Sequence, residues 1–194
     1  MNRTPRASLF DAVEISDADL TARLLGNELD ANEKDACGRT PLHYACEKGY
    51  AGSVRTLLEL GADVNARSIS CNTPLHYACK CGRYDIANLL VANGADINAV
   101  NDCGRTPLHE TVLIGRPPYF DIALLLLGHG ADAVAKDKDG EMLLDNVMLA
   151  LHEGEEEREM VIEYYKNHHP EVVFEKWCTM QGRSIHLPPD PKRP

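Results

Sequence analysis

The chain has 194 residues, with 20 Lys plus Arg against 30 Asp plus Glu and a formal net charge of −10. That length fits one domain of about 100–200 residues, and the acidic surplus opposes a phosphate backbone, whose affinity comes largely from Lys and Arg; nucleic acid is not an expected partner. The longest apolar run, Ile122 to Leu127, is six residues, against the ~20 that a bilayer span needs, so no membrane partner is expected either. The first ten residues carry neither the apolar stretch nor the small-residue cleavage site of a secretory signal. The seven cysteines are therefore expected to stay reduced, in the cytoplasm, the nucleus or both, and a monomer is the default expectation.

In chain order, Leu9, Phe10 and Val13 and then Leu24 and Leu25 form two short apolar stripes, followed by Asp30-Ala31-Asn32. Next, Thr40 caps a helix that Pro41 begins, since proline's fixed φ and missing N–H suit a first turn. Leu42, Ala45 and Cys46 give this helix a narrow apolar stripe, and Gly49 stops it. A second helix is predicted around Val54 to Leu60, with Val54, Leu57 and Leu58 at helical spacing and Gly61 as its left-handed C-cap. The same order then returns twice. Thr-Pro-Leu-His stands at Thr40–His43, Thr73–His76 and Thr106–His109, and Gly-Ala-Asp at 61–63, 94–96 and 130–132. Further on, Met142-Leu143-Leu144-Asp145 replaces the tetrad, and Val161, Ile162, Tyr164 and Tyr165 fall where a second helix would be. Helix pairs this small cannot bury an apolar face alone, so neighbours must stack. Beyond them, Val172 to Trp177 is apolar enough to dock, and the Pro-rich 188–194 reads as extended and mobile.

Two marks recurring in phase resemble the ankyrin repeat family, whose period is 33 and whose unit is a turn followed by two helices. The resemblance covers about residues 8–170. It implies an all-α solenoid of stacked helix-turn-helix units with β-turn or hairpin tips in a domain over 1–170. Its parts are an N-cap at about 5–34, repeats at about 35–67, 68–100 and 101–136, and a C-cap at about 137–170, followed by an extension over 171–194. It further implies that His43, His76 and His109 hydrogen-bond the backbone of adjoining turns. A spacing of one histidine per repeat argues against a metal site, and Cys79-Lys80-Cys81 lacks the two-residue spacing of structural zinc. Asp63, Asp96 and Asp132 read as loop residues that bond nearby backbone N–H groups, and Cys46 and Cys79 as small buried hydrophobes. No catalytic motif is present. Neither an enzyme nor a cofactor or metal is expected.

Solenoids of this type offer an extended concave surface, and the resemblance implies contacts from the turn tips and the open side of the first helix. The residues expected to bind a partner protein are Tyr44, Tyr77, Cys81, Arg105, Glu110, Leu113, Ile114, Tyr119 and Phe120. Leu113 and Ile114 are two large apolar groups where the other repeats hold Glu47-Lys48 and Lys80-Cys81. An insertion at Gly115–Asp121 sets Tyr119 and Phe120 beside them, either as anchors or folded back over Leu113. The acidic run Glu153–Glu159 reads as a solvated helix start or a dock for a basic segment, and Trp177 as padding or an anchor. Asn65 and Asn98 sit in sequences that resemble the motif modified in ankyrin repeats by the oxygen-sensing asparaginyl hydroxylase. Functionally, the leading reading is an adaptor or scaffold. The alternatives are a stoichiometric inhibitor of an NF-κB-type transcription factor or cyclin-dependent kinase, and a substrate receptor of a ubiquitin ligase.

Overall fold

The computed structural model describes residue 13 and residues 30–111, 119–145 and 156–173. Its helices are α1 (Pro41–Lys48), α2 (Ala51–Glu59), α3 (Pro74–Lys80), α4 (Tyr84–Ala92), α5 (Pro107–Glu110), α6 (Tyr119–Gly128) and α7 (Glu156–His168). They form two layers: α1, α3 and α5 pack side by side, α2, α4 and α6 pack behind them, and α7 packs on α6. No strand is formed among the described residues.

Each first helix starts as its local sequence dictates. Thr40, Thr73 and Thr106 are extended N-caps at φ near −90° and ψ 166°, and each is joined to the histidine three residues on by a reciprocal capping box. Gly49 ends α1 in the left-handed region at φ 90°. The second helix then starts at Ala51, three residues earlier than its apolar spacing predicts. The reason is the tightness of the connection: the N–H groups of Gly49 and Tyr50 both bond Ala45 O, and Val54 N already bonds Tyr50 O.

Between the helix pairs the chain projects a tight turn, here called a finger. Each is closed by a short polar residue: Asp35, Asn101 and Asp137 each accept two backbone N–H bonds through Oδ1, and Ser68 Oγ accepts one. Successive fingers are joined by single backbone bonds, Ile69 N to Cys37 O, Asp102 N to Ser70 O and Lys138 N to Cys103 O. Glycine at the finger tip allows that approach. Gly104 has φ +76°, and a Cβ there would lie 2.8 Å from Lys138 N. Gly104→Ala is therefore expected to cost about 2 kcal/mol or more, since the left-handed backbone alone costs an alanine roughly 1–2 kcal/mol. An unchanged urea midpoint would show that the fingers are not this closely coupled.

The core runs between the layers. Leu42, Leu75 and Leu108 from the tetrads and Leu143 from its replacement are at most 1% exposed, as are Leu57, Leu90 and Leu126 from the second layer. Ala45 and Ala78 are fully buried where α1 and α3 meet, as are Cys46 and Cys79. Burial pushes both thiols far above their ordinary pKa. Ser53 is an exception to the apolar pattern: it takes the place of Ile86 and Ile122, and its buried hydroxyl has no partner among the described residues. At the far end Tyr165, fully buried on α7, donates its hydroxyl to Ala133 O, tying the last helix to the preceding loop.

Candidate functional site

The three tetrad histidines are buried, His43 and His76 almost completely. His43 Nε2 lies 3.0 Å from Asn72 O, His76 Nε2 3.0 Å from Arg105 O, and His109 Nε2 3.2 Å from Glu141 O. A carbonyl only accepts, so Nε2 carries the hydrogen, and Nδ1 is left to accept the N–H of the N-cap threonine at 3.0–3.1 Å. Each ring thereby links its own cap to the next finger. Burial holds His43 and His76 neutral, down to a pKa of about 4. With both nitrogens committed, none of these rings is free to ligate a metal or move a proton.

The loop edge is built in the same way. Asp63, Asp96 and Asp132 each accept the N–H two residues on, at 2.9–3.0 Å. Asn65 donates to Gly94 O and accepts from Asp96 N, and Asn98 does the same with Gly130 O and Asp132 N. Both asparagines are exposed, and both are links between neighbouring repeats.

The fingers and first helices share the remaining face. Arg39 bonds Asp35 at 3.1 Å and Glu47 at 3.4 Å, its guanidinium lies 4.1 Å from the Tyr44 ring centre, and it also donates to the Tyr44 hydroxyl. Burial pushes Asp35 up, but the N–H groups of Arg39 and Cys37 and the guanidinium outweigh it and hold the carboxyl below its ordinary value. Tyr77 stands one repeat on, half-buried, with its ring edge-on to His43 at 5.5 Å. In the third repeat the cluster is rewired. Asn101 replaces the finger's aspartate, so Arg105 reaches across to Asp137 on the next finger at 3.1 Å. The hydrogen bond that Arg105 donates to Asp137 raises the Arg105 pKa further.

The expected site residues divide accordingly. Tyr44, Tyr77, Cys81 and Arg105 are half-buried on this face. Glu110 is a correction: expected in an open position, it is only 6% exposed, because it folds under the third finger against Asn101 Nδ2 at 3.4 Å. Leu113 and Ile114 lie outside the described residues, as do Glu153–Glu155 of the acidic run and Trp177. Tyr119 and Phe120 form the first turn of α6, their side chains lying outside the description. Sequence reasoning missed Asn101 and Asp137, which are joined to Glu110 and Arg105 respectively. The recurrence of a short polar residue at 35, 68, 101 and 137 was the available signal.

A family model for ankyrin repeats in three copies matches residues 9–101 and 70–137. The chain belongs to the ankyrin repeat family. Ankyrin repeats generally mediate protein–protein interaction and act as non-catalytic modules, which accords with histidines, asparagines and aspartates that all serve the stack. Comparison with curated proteins returns no match. Among the described residues no helix is long and apolar enough to cross a membrane.

Proposed function

We propose that this ankyrin repeat chain is an adaptor or scaffold that holds a partner protein along the face shared by its fingers and first helices. The observation that carries the reading is the pair Tyr44 and Tyr77. Two aromatic rings stand one repeat apart, half-buried, each held in place by a neighbour, Arg39 for Tyr44 and His43 for Tyr77. Aromatic side chains dominate binding hot spots, and rings already immobilised lose little entropy when a partner covers them. By their place in the repeat, Leu113, Ile114, Tyr119 and Phe120 are read as further partner contacts, as are Cys81 and Arg105. The six described cysteines are free, which fits a reducing cytoplasmic or nuclear setting, and the chain acts as a monomer.

The test is affinity capture from native lysate with wild type and with a Tyr77→Ala, Leu113→Asp double variant whose circular dichroism is unchanged. Loss of about 2 kcal/mol at a hot spot weakens binding by about 30-fold, so the captured protein should disappear with the variant. Equal capture by both would place the binding surface elsewhere.

A further inference from the structure

At the far ends of α1 and α3 from the fingers, a hollow opens between the short connections that lead into α2 and α4. Its cavity volume is about 340 Å³, and it is lined by Gly49 and Ala51 from the first repeat and by Arg83, Tyr84, Asp85 and Ile86 from the second. The sequence explains the space. A step of 33 residues sets Ala51, Gly52 and Ser53 against Tyr84, Asp85 and Ile86, so the first repeat brings three small side chains where the second brings full-sized ones. Arg83, Tyr84 and Asp85 are exposed, whereas Ile86 is only 2% exposed.

Arg83 reaches back from this wall onto the first repeat. A Cβ on Gly49 would lie 2.9 Å from Arg83 Cζ and Nε and 3.1 Å from Nη1. Those near-equal distances lay the guanidinium plane across Gly49, in room that only a glycine leaves. Its one hydrogen bond among the described residues runs from Nη2 to Glu47 O at a long 3.4 Å, and none of the ion pairs formed there includes it. Arg39 and Arg105 differ, each being held by an aspartate at 3.1 Å. Other cations stand close by. Burial and the Glu47 carboxylate raise the Cys81 pKa, while Arg83, Lys80 and Lys48 pull it down, and both lysines are exposed at the ends of their helices. Glu47 itself bonds Arg39 at 3.4 Å. In a chain of net charge −10, this is a local surplus of positive charge around an unpaired guanidinium that is already in place.

We propose that this hollow is a second partner-binding site, which seats an Asp or Glu side chain of an acidic protein segment on Arg83, with an apolar neighbour of that acid lying against Ala51 and Ile86. A guanidinium is a forked donor that matches a carboxylate, and one held by Gly49 and Glu47 O loses less freedom on binding than a loose side chain. Lys48 and Lys80 add to the attraction that draws an acidic segment in. Asp85, on the same wall, repels a doubly charged phosphate more than a single carboxylate, which favours the carboxylate as occupant. The eight residues of α1 set the hollow about 12 Å from the finger end of the helix, so the inference goes beyond the finger-face reading and stands or falls apart from it.

Random twelve-residue peptides displayed on phage and selected on the full chain supply the probe. The selection is expected to yield a family of clones with Asp or Glu beside an apolar residue, and a synthetic peptide from that family is titrated by fluorescence anisotropy. Arg83→Gln should weaken its binding about ten-fold or more. Ala51→Tyr should do the same, because it fills the hollow with the side chain that the second repeat carries at that position. Arg55→Gln, which removes an exposed cation from α2, should bind as wild type does. Replacing the peptide's acid by its amide should cost wild type the same factor and cost Arg83→Gln nothing further, as a direct pair requires. Arg83 is exposed, so its variant carries the comparison should Ala51→Tyr fail to fold. A selection without an acidic family, equal affinity for wild type and Arg83→Gln, or an equal loss with Arg55→Gln would overturn the inference. Loss on Tyr77→Ala but not on Arg83→Gln would place the peptide on the finger face, overturning this inference and leaving that reading in force.

Discussion

His76→Ala is expected to remove about 3–5 kcal/mol of stability, a large share of the ~5–15 kcal/mol that a domain possesses. The ring is 1% exposed and lies at the centre of the stack. Truncation leaves Thr73 N–H without the acceptor it meets at 3.1 Å, and takes from Arg105 O, which keeps the Asn101 N–H, the donor it meets at 3.0 Å. Each unmet buried group costs about 1–3 kcal/mol, and the vacated space adds a cavity contribution. The bond to Arg105 O acts between α3 and the third finger, so part of the damage falls on the contact between repeats, where a solenoid keeps much of its cooperativity. Urea denaturation followed by circular dichroism measures it. A loss below about 1 kcal/mol would mean that the histidine is packing and that its bonds do not couple the repeats.

The second large effect is acid sensitivity well above the carboxylate range. His43 and His76 titrate near 4 in the folded chain and near 6.5 when unfolded. Below pH 6.5 the unfolded chain therefore binds protons that the folded chain refuses. Stability is fully present above that pH and falls as the pH drops towards 4, by up to about 1.4 kcal/mol per pH unit for each ring. Asp35 and Asp137 act lower. Burial raises both, but backbone N–H groups and their arginines outweigh it, so their contribution is present above the ordinary 3.8 and is lost only beneath it. A decline between pH 6.5 and 4 thus reports on the histidines. Urea midpoints at pH 7.5, 6 and 5 should fall, with most of the drop between pH 6 and 5. Equal midpoints across that range would show that the rings protonate in place.

Much of the fold was legible because its determinants are local. Thr40, Pro41 and His43 occupy four consecutive residues that form a cap, and the recurrence of that tetrad at 73 and 106 gives period and family together. The loop aspartates were readable for the same reason, since Asp63 and Asp96 bond N–H groups two residues away. Helix boundaries were less secure: apolar spacing marks the buried face of α2 from Val54, whereas the helix begins at Ala51, where the two-residue connection through Gly49 and Tyr50 places it.

The face that carries the candidate site was only half legible. Tyr44, Tyr77 and Arg105 could be assigned to it from their place in the repeat, because repeat position sets which side of a helix a residue occupies. Burial of Glu110, the turn of Arg105 towards Asp137, and the bond from Tyr165 to Ala133 could not. The last two join residues on different units, as do the histidine bonds spanning 29 to 32 positions. The sequence by itself determined the repeat unit, its caps and the order of the stack, since those depend on bonds closed within a few residues. Tertiary structure decided which side chains are satisfied by the neighbouring unit and which are left open, because that depends on how closely one finger is set against the next.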